Sequence, residues 1–151
     1  MAGGGNYVLD KGYQVLKTYN ASFASGVQRY RAVKLTTVSS AIRLDVNAAH
    51  ATFQIGVVQE DIDAVKVAYG NAVADVRLLG ITKMVVAVGT SIVIGSKIAA
   101  GGTGGTSNAG GAILAVTSDP IVGICVGMSV PGGTVGAGDL IDVLLTPGAV
   151  A

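Results

Sequence analysis

The chain is short of the residues from which active sites are usually built. Among 151 residues it has one Cys, one His, one Glu and no Trp. A single Cys excludes an intrachain disulfide. Cys125 lies in an apolar run, which reads as a buried, inert thiol compatible with synthesis in a reducing cytoplasm. A single His leaves zinc without a ligand set. A Ser–His–Asp site at His50 would lack the Gly-x-Ser-x-Gly elbow of the nucleophile, so His50 is placed in a turn over 47–51. No apolar run approaches the roughly 20 residues that span a bilayer. The opening residues lack a basic region followed by an apolar one, so no signal peptide is expected. Net charge is +1, which gives no general attraction to nucleic acid. The basic step Arg29-Tyr30-Arg31 is too short to suggest RNA binding. Positive charge is absent beyond Lys97, where Asp119, Asp139 and Asp142 are the only charged side chains.

What is present is aliphatic. Half the residues are hydrophobic, with Val, Ala, Leu and Ile carrying the load, and there are 23 Gly. Branching at Cβ suits a pleated, half-buried surface, and frequent Gly suits turns and interrupts long helices. The fold class expected is all-β: a compact barrel or sandwich-like body of short strands, with at most one short helix. Strands are expected at Tyr30–Leu35, Ala41–Val46, Thr52–Gln59, Val73–Leu79, Lys83–Val88, Ser91–Ile98, Ala112–Thr117, Ile121–Val130 and Leu140–Leu145. Asp61–Tyr69 fits either a helical face or a strand. Mean hydropathy of +0.61, without a membrane span, points to surface buried against other subunits.

Two stretches read alike. IGVVQEDI at Ile55–Ile62 leads into DVRLLGI at Asp75–Ile81, and VGICVGMS at Val122–Ser129 leads into DLIDVLLTPG at Asp139–Gly148. An apolar–Lys–apolar step precedes the first, Val33-Lys34-Leu35, and Ser96-Lys97-Ile98 precedes the second. A second short run follows each step, Ala41–Val46 and Ala112–Thr117. The chain is therefore expected to be a doubled β unit. Residues 1–29 stand apart. Behind Gly3-Gly4-Gly5 they hold Tyr7, Tyr13, Tyr19 and Phe23, four of the seven aromatics. This segment reads either as an arm that docks on a neighbour, with 30–148 as the body and 149–151 as a tail, or as an edge segment folded over its own core.

The motifs with chemical overtones fail on inspection. GGTGGTSNAGG at Gly101–Gly111 has neither the Lys-Ser/Thr of a P-loop, nor GxGxxG spacing, nor a helix behind it. It reads as a surface loop. Glu60-Asp61-Ile62-Asp63 lacks the rhythm of a calcium loop and reads as a solvated turn. Asn20-Ala21-Ser22 fits a glycosylation pattern but has no expected secretory route. No enzyme activity, cofactor or metal is expected.

IGVVQEDI, DVRLLGI and the ending GDLIDVLLTPG at Gly138–Gly148 resemble the small capsid cement, or decoration, proteins of tailed bacteriophages. NYVLDKGY at Asn6–Tyr13 and RYRAVKLTT at Arg29–Thr37 fit the same pattern. The resemblance covers roughly 6–148. It departs at Gly101–Gly111, where a tighter turn is expected. The resemblance implies a virion protein on the outer surface of an icosahedral head, a homo-oligomer, as a trimer. It would bridge subunits of the major capsid protein, with no nucleic-acid or membrane partner. Asn6, Tyr7, Val8, Leu9 and Tyr13 are the candidate capsid or neighbour contacts. The alternative is a virion-surface module that reaches the host cell through Gly101–Gly111.

Overall fold

The computed structural model describes residues 26–38, 41–46, 53–68, 74–87, 91–101, 109–129 and 134–150. Among the described residues it is all-β with one short helix. The elements are β1 (Ala32–Val38), β2 (Ala41–Val46), β3 (Gly56–Val58), α1 (Ala64–Ala68), β4 (Val76–Arg77), β5 (Gly80–Val85), β6 (Lys97–Gly101), β7 (Gly111–Leu114), β8 (Pro120–Met128) and β9 (Leu140–Val150). They form two sheets of antiparallel pairs, ordered β2-β1-β3-β4 and β5-β9-β8-β6-β7. The edges of the second sheet, β5 and β7, approach at the parallel bridge Val86–Ala112. Among the described residues no continuous ladder joins the two edges there.

The doubled unit is real, and it extends beyond the two passes read from sequence. Reversing the second order gives β7-β6-β8-β9, the counterpart of β2-β1-β3-β4, with β5 added outside β9. The registers match as well. Gly56 faces Val33 as Gly123 faces Ile98; Val58 faces Val76 as Cys125 faces Val143. Even the approach to the first strand is repeated. Tyr30 N–H donates to the Val58 carbonyl at 2.7 Å, and Gly95 N–H donates to the Cys125 carbonyl at 2.7 Å. Both donors have positive φ, 65° at Tyr30 and 91° at Gly95.

The landmarks of the repeat need correction. Asp75-Val76-Arg77-Leu78 corresponds to Asp142-Val143-Leu144-Leu145, so Asp142 and not Asp139 is the partner of Asp75. Lys97 sits opposite Ile124, as Ala32 sits opposite Val57, so Lys34 and Lys97 are not equivalent.

Each unit has a core on its inner face. Val27, Val33, Leu44, Val58, Val67 and Val76 fill the first; Ile92, Ile98, Ala112, Cys125, Val143 and Leu145 belong to the second. A fully buried Val, Leu or Ile contributes about 1.5–3 kcal/mol. An exposed ion pair such as Lys83–Asp142, at 3.1 Å, contributes about 0–1 kcal/mol. Packing of the aliphatic faces therefore holds the sheets. The outer face of the first unit is also covered. Ala32 and Val57 belong to the second core, at 0% exposure, alongside Met84 and Val86. Hydrogen bonds from Ala32 N–H to the Gly110 carbonyl and from Val85 N–H to the Tyr30 carbonyl tie the units together.

Several boundaries differ from expectation. Asp61–Tyr69 resolves into a bridge from Ile62 to Val27 followed by α1. Asp63 caps that helix, its carboxylate accepting from Val65 N–H at 2.8 Å. The expected strand Val73–Leu79 shrinks to β4, because Gly80 at φ 87° turns the chain out of the first sheet and into the second. Ser91–Ile98, expected as a strand with a bulge or bend at its Gly, does turn at Gly95, and β6 starts only at Lys97. Thr146-Pro147-Gly148 does not end β9. The β8–β9 ladder shifts register there, between Ile121 and Gly123, and resumes at Ile121–Ala149 and Pro120–Val150. A proline is tolerated where the ladder asks nothing of its missing N–H.

Candidate functional site

Asn6, Tyr7, Val8, Leu9, Tyr13 and His50 lie outside the described residues, as do Asn20 and most of the Gly101–Gly111 loop, residues 102–108. The acidic residues within the described segments are largely occupied by the backbone. Glu60 accepts from Asp75 N–H at 3.1 Å, and Asp61 from Arg29 N–H at 2.8 Å. Two of the three late acids, conspicuous in sequence, are turn locks. Asp119 accepts from Val116 N–H at 3.0 Å and Asp139 from Gly136 N–H at 2.6 Å. In each case the Asp N–H returns to the carbonyl of the same partner, so both turns are closed twice. Asp142 pairs with Lys83. Asp75 differs, with Oδ1 buried and unpartnered.

Cys125 is fully buried, and desolvation pushes its thiol up from the ordinary range, partly offset by its hydrogen bond to the Gly127 carbonyl and reinforced by the charge of Asp142. That is the environment of an unreactive thiol. Arg31, at 5% exposure, is the unusual cation. Its Nη2 donates to the Gln28 side chain at 3.1 Å, Nη1 is buried with no partner, and desolvation lowers its pKa. No sequence pattern marked it. Arg29 instead stays on the surface, beside Asp61 and over the Tyr30 ring at 5.6 Å.

An open cleft of about 410 Å³ lies at the seam of the two units, lined by Tyr30, Gln59, Arg77, Ile81, Lys83 and Asp142, with Thr82 beneath. Its polar groups serve the fold. Gln59 Nε2 donates to the Val57 carbonyl at 2.8 Å and to Thr82 Oγ1 at 3.0 Å, and Arg77 Nη1 donates to the Ile81 carbonyl at 2.5 Å. The arrangement offers hydrogen bonds and shape to a partner. Among the described residues it brings together no nucleophile with a base, and no group of three or more His, Cys, Asp or Glu that could hold a metal ion. The cleft was not legible in sequence, because its lining comes from two units that meet only through the inter-unit packing.

No family model and no curated protein matches the chain. Its fold is similar to that of the head fiber gp8.5 N base in bacteriophage phi29, a crystal structure, with TM-score 0.60 and 19% identity over 89% of this chain and 95% of that one.

Proposed function

We propose that the chain is a structural protein of a bacteriophage head. It would act as a decoration, or cement, protein on the outer capsid surface, made in the host cytoplasm and assembled as a homo-oligomer, a trimer. It would bridge subunits of the major capsid protein, with Asn6–Tyr13 as an arm contacting capsid or neighbour. The observation that carries this reading is the fold likeness to a phage head fiber base across nearly the whole of both chains. The resemblance of IGVVQEDI, DVRLLGI and DLIDVLL to cement proteins supports it from a separate direction. Proteins of this kind work by contact, and multivalent seating strengthens weak single contacts through effective concentration.

The test is reconstitution. The purified chain is mixed with heads that lack it, and the mixture is sedimented and heated with a dye that reports released DNA. Co-sedimentation and a higher release temperature are expected. A chain that stays at the top of the gradient, or heads that rupture at an unchanged temperature, would refute the cement role. Removal of residues 1–13 is expected to weaken head binding; unchanged binding would remove the arm from the contact.

A further inference from the structure

The internal repeat shows which element the first sheet is missing. In the second unit β5 runs along the outer edge of β9, with Thr82 opposite Val143 and Lys83 opposite Asp142. In the first unit β4 stands where β9 does, and among the described residues no strand lies outside it. That edge is not built to face water. Gln59 N–H donates to the Asp75 carbonyl at 2.9 Å, and Val58 lies opposite Val76. Bonded and non-bonded pairs alternate along an antiparallel ladder, so the N–H and C=O of Val76 point away from β3, toward the open edge. Val76 is 1% exposed, and buried backbone groups nearly always have partners. The side chains leave the same gap. Asp142 is met by Lys83 of β5 at 3.1 Å, whereas Oδ1 of its counterpart Asp75 is buried with no partner.

We infer that residues 15–20 form an antiparallel strand on the outer edge of β4 of their own chain. The repeat names this occupant. β5 is the strand just before the second unit, and its Thr82 stands 15 residues ahead of Lys97. Lys97 is the counterpart of Ala32, and the same distance ahead of Ala32 stands Lys17. The count is anchored on the way by the core residues Ile92 and Val27 and by the matched hydrogen bonds of Gly95 and Tyr30. The link from residue 20 to Val27 thus equals that from Val85 to Ile92, which makes the same journey within one chain. In this register Lys17 lies opposite Val76. Thr18 lies opposite Asp75 and brings a hydroxyl donor to the orphaned Oδ1. Tyr19 lies opposite Ala74, as Met84 lies opposite Ile141. Val15, Thr18 and Tyr19 favour strands, Lys is at home on a sheet edge, and residues 13–25 contain no Gly or Pro. Asn6–Tyr13 is then left as the arm, rooted beside Leu79. The inference rests on the repeat and not on the head reading, so either can fail without the other.

The test uses the full chain by itself. Thr18 and Asp75 would be a non-hydrogen-bonded pair, with Cα atoms about 4.5 Å apart and within reach of a disulfide. Thr18→Cys combined with Asp75→Cys, in a Cys125→Ala chain, is expected to close a disulfide on mild oxidation. Peptide mapping of the band of single-chain mass, under non-reducing conditions, should find the two cysteines joined. A disulfide formed only between copies would make the strand an exchanged one and overturn the inference, as would no disulfide at all. If that variant fails to fold, amide hydrogen exchange on the wild-type chain decides. Residues 15–20 are expected to exchange roughly 100-fold or more slowly than in a free peptide, and free-peptide rates would overturn the inference.

Discussion

Gly123→Ala tests whether the repeat reflects a shared packing constraint. Gly123 lies in β8, between β6 and β9. A Cβ there would sit 2.1 Å from the Leu144 carbonyl oxygen, 2.8 Å from its carbon and 2.7 Å from Val143 Cγ1. Two of these three atoms are backbone, so no rotamer change relieves the clash. The oxygen must recede by more than an ångström, and β9 with it, against the core residues Val143 and Leu145. Losing Gly in the unfolded state favours Ala by about 0.4–1 kcal/mol. Overpacking a close-packed site costs about 1–3 kcal/mol, and backbone displacement puts this case at the upper end. The net expectation is a loss of about 2 kcal/mol, or a melting temperature lower by about 4–8 °C for a chain of this size.

Gly56→Ala is expected to behave the same way, because its Cβ would meet the Arg77 carbonyl oxygen at 2.3 Å and Val76 Cγ1 at 2.8 Å, the equivalent atoms of the first unit. The two sites share no partner and serve different cores, so their effects should add within about 0.5 kcal/mol. Gly136→Ala is the control. Its Cβ would meet only Asp139 Oδ2, at 3.5 Å, an ordinary contact, and a gain of about 0.4–1 kcal/mol is expected. The readout is urea and thermal unfolding followed by circular dichroism. A Gly123→Ala or Gly56→Ala variant as stable as wild type would refute the account of these glycines.

Cys125 is expected to be unreactive to an aromatic disulfide reagent in the folded protein. Its folded pKa is raised above the unfolded value of about 8.5. The folded state therefore holds the proton longer, so the Cys125 contribution to stability is constant below about pH 8.5 and falls as pH rises above it. Cys125→Ala should lack that alkaline decline; a parallel decline in both proteins would contradict the assignment. Arg31→Met removes a buried cation with an unpartnered Nη1 and, among the described residues, releases only exposed Gln28 to water. It is expected to raise stability by about 1 kcal/mol, and a lower melting temperature would show that the guanidinium stabilises the fold. Ser118 holds φ 75° in an exposed turn. Ser118→Gly should be neutral or stabilising by up to about 1 kcal/mol, and a clear loss of stability would count against strain at that turn.

The strands legible in sequence were those whose alternation is set by their own neighbours. β2 and β8 fall close to where Val/Ile periodicity puts them, and the doubled pattern located the paired strands of both units. What was not legible depends on contacts between units. The short β4 and the start of β5 are decided by a positive φ at Gly80 and by a change of sheet, neither of which leaves a periodic trace. The extension of β9 past Pro147 requires the register shift opposite it in β8. The cleft and buried Arg31 likewise arise where one unit packs on the other. Repeat landmarks failed for a related reason. Lys34 and Lys97 were matched by residue type, but equivalence in a sheet is fixed by register, and the outward positions are where the units differ most.

That difference separates the inward from the outward face of the repeat. The inward positions match in character: Val33 with Ile98, Val58 with Cys125, Val76 with Val143, Leu78 with Leu145. Each set has the same task, to fill a core between strands of the same order. The outward positions do not match, because the two outer faces have different neighbours. The first packs on the second unit, and there Gln59 and Arg77 are spent on hydrogen bonds to Val57, Thr82 and Ile81 at the seam. The second carries Leu144 where the first has Arg77, with Ile81 alongside, and among the described residues both are exposed. The inward rows therefore repeat because the packing task repeats, and the outward rows diverge with their surroundings.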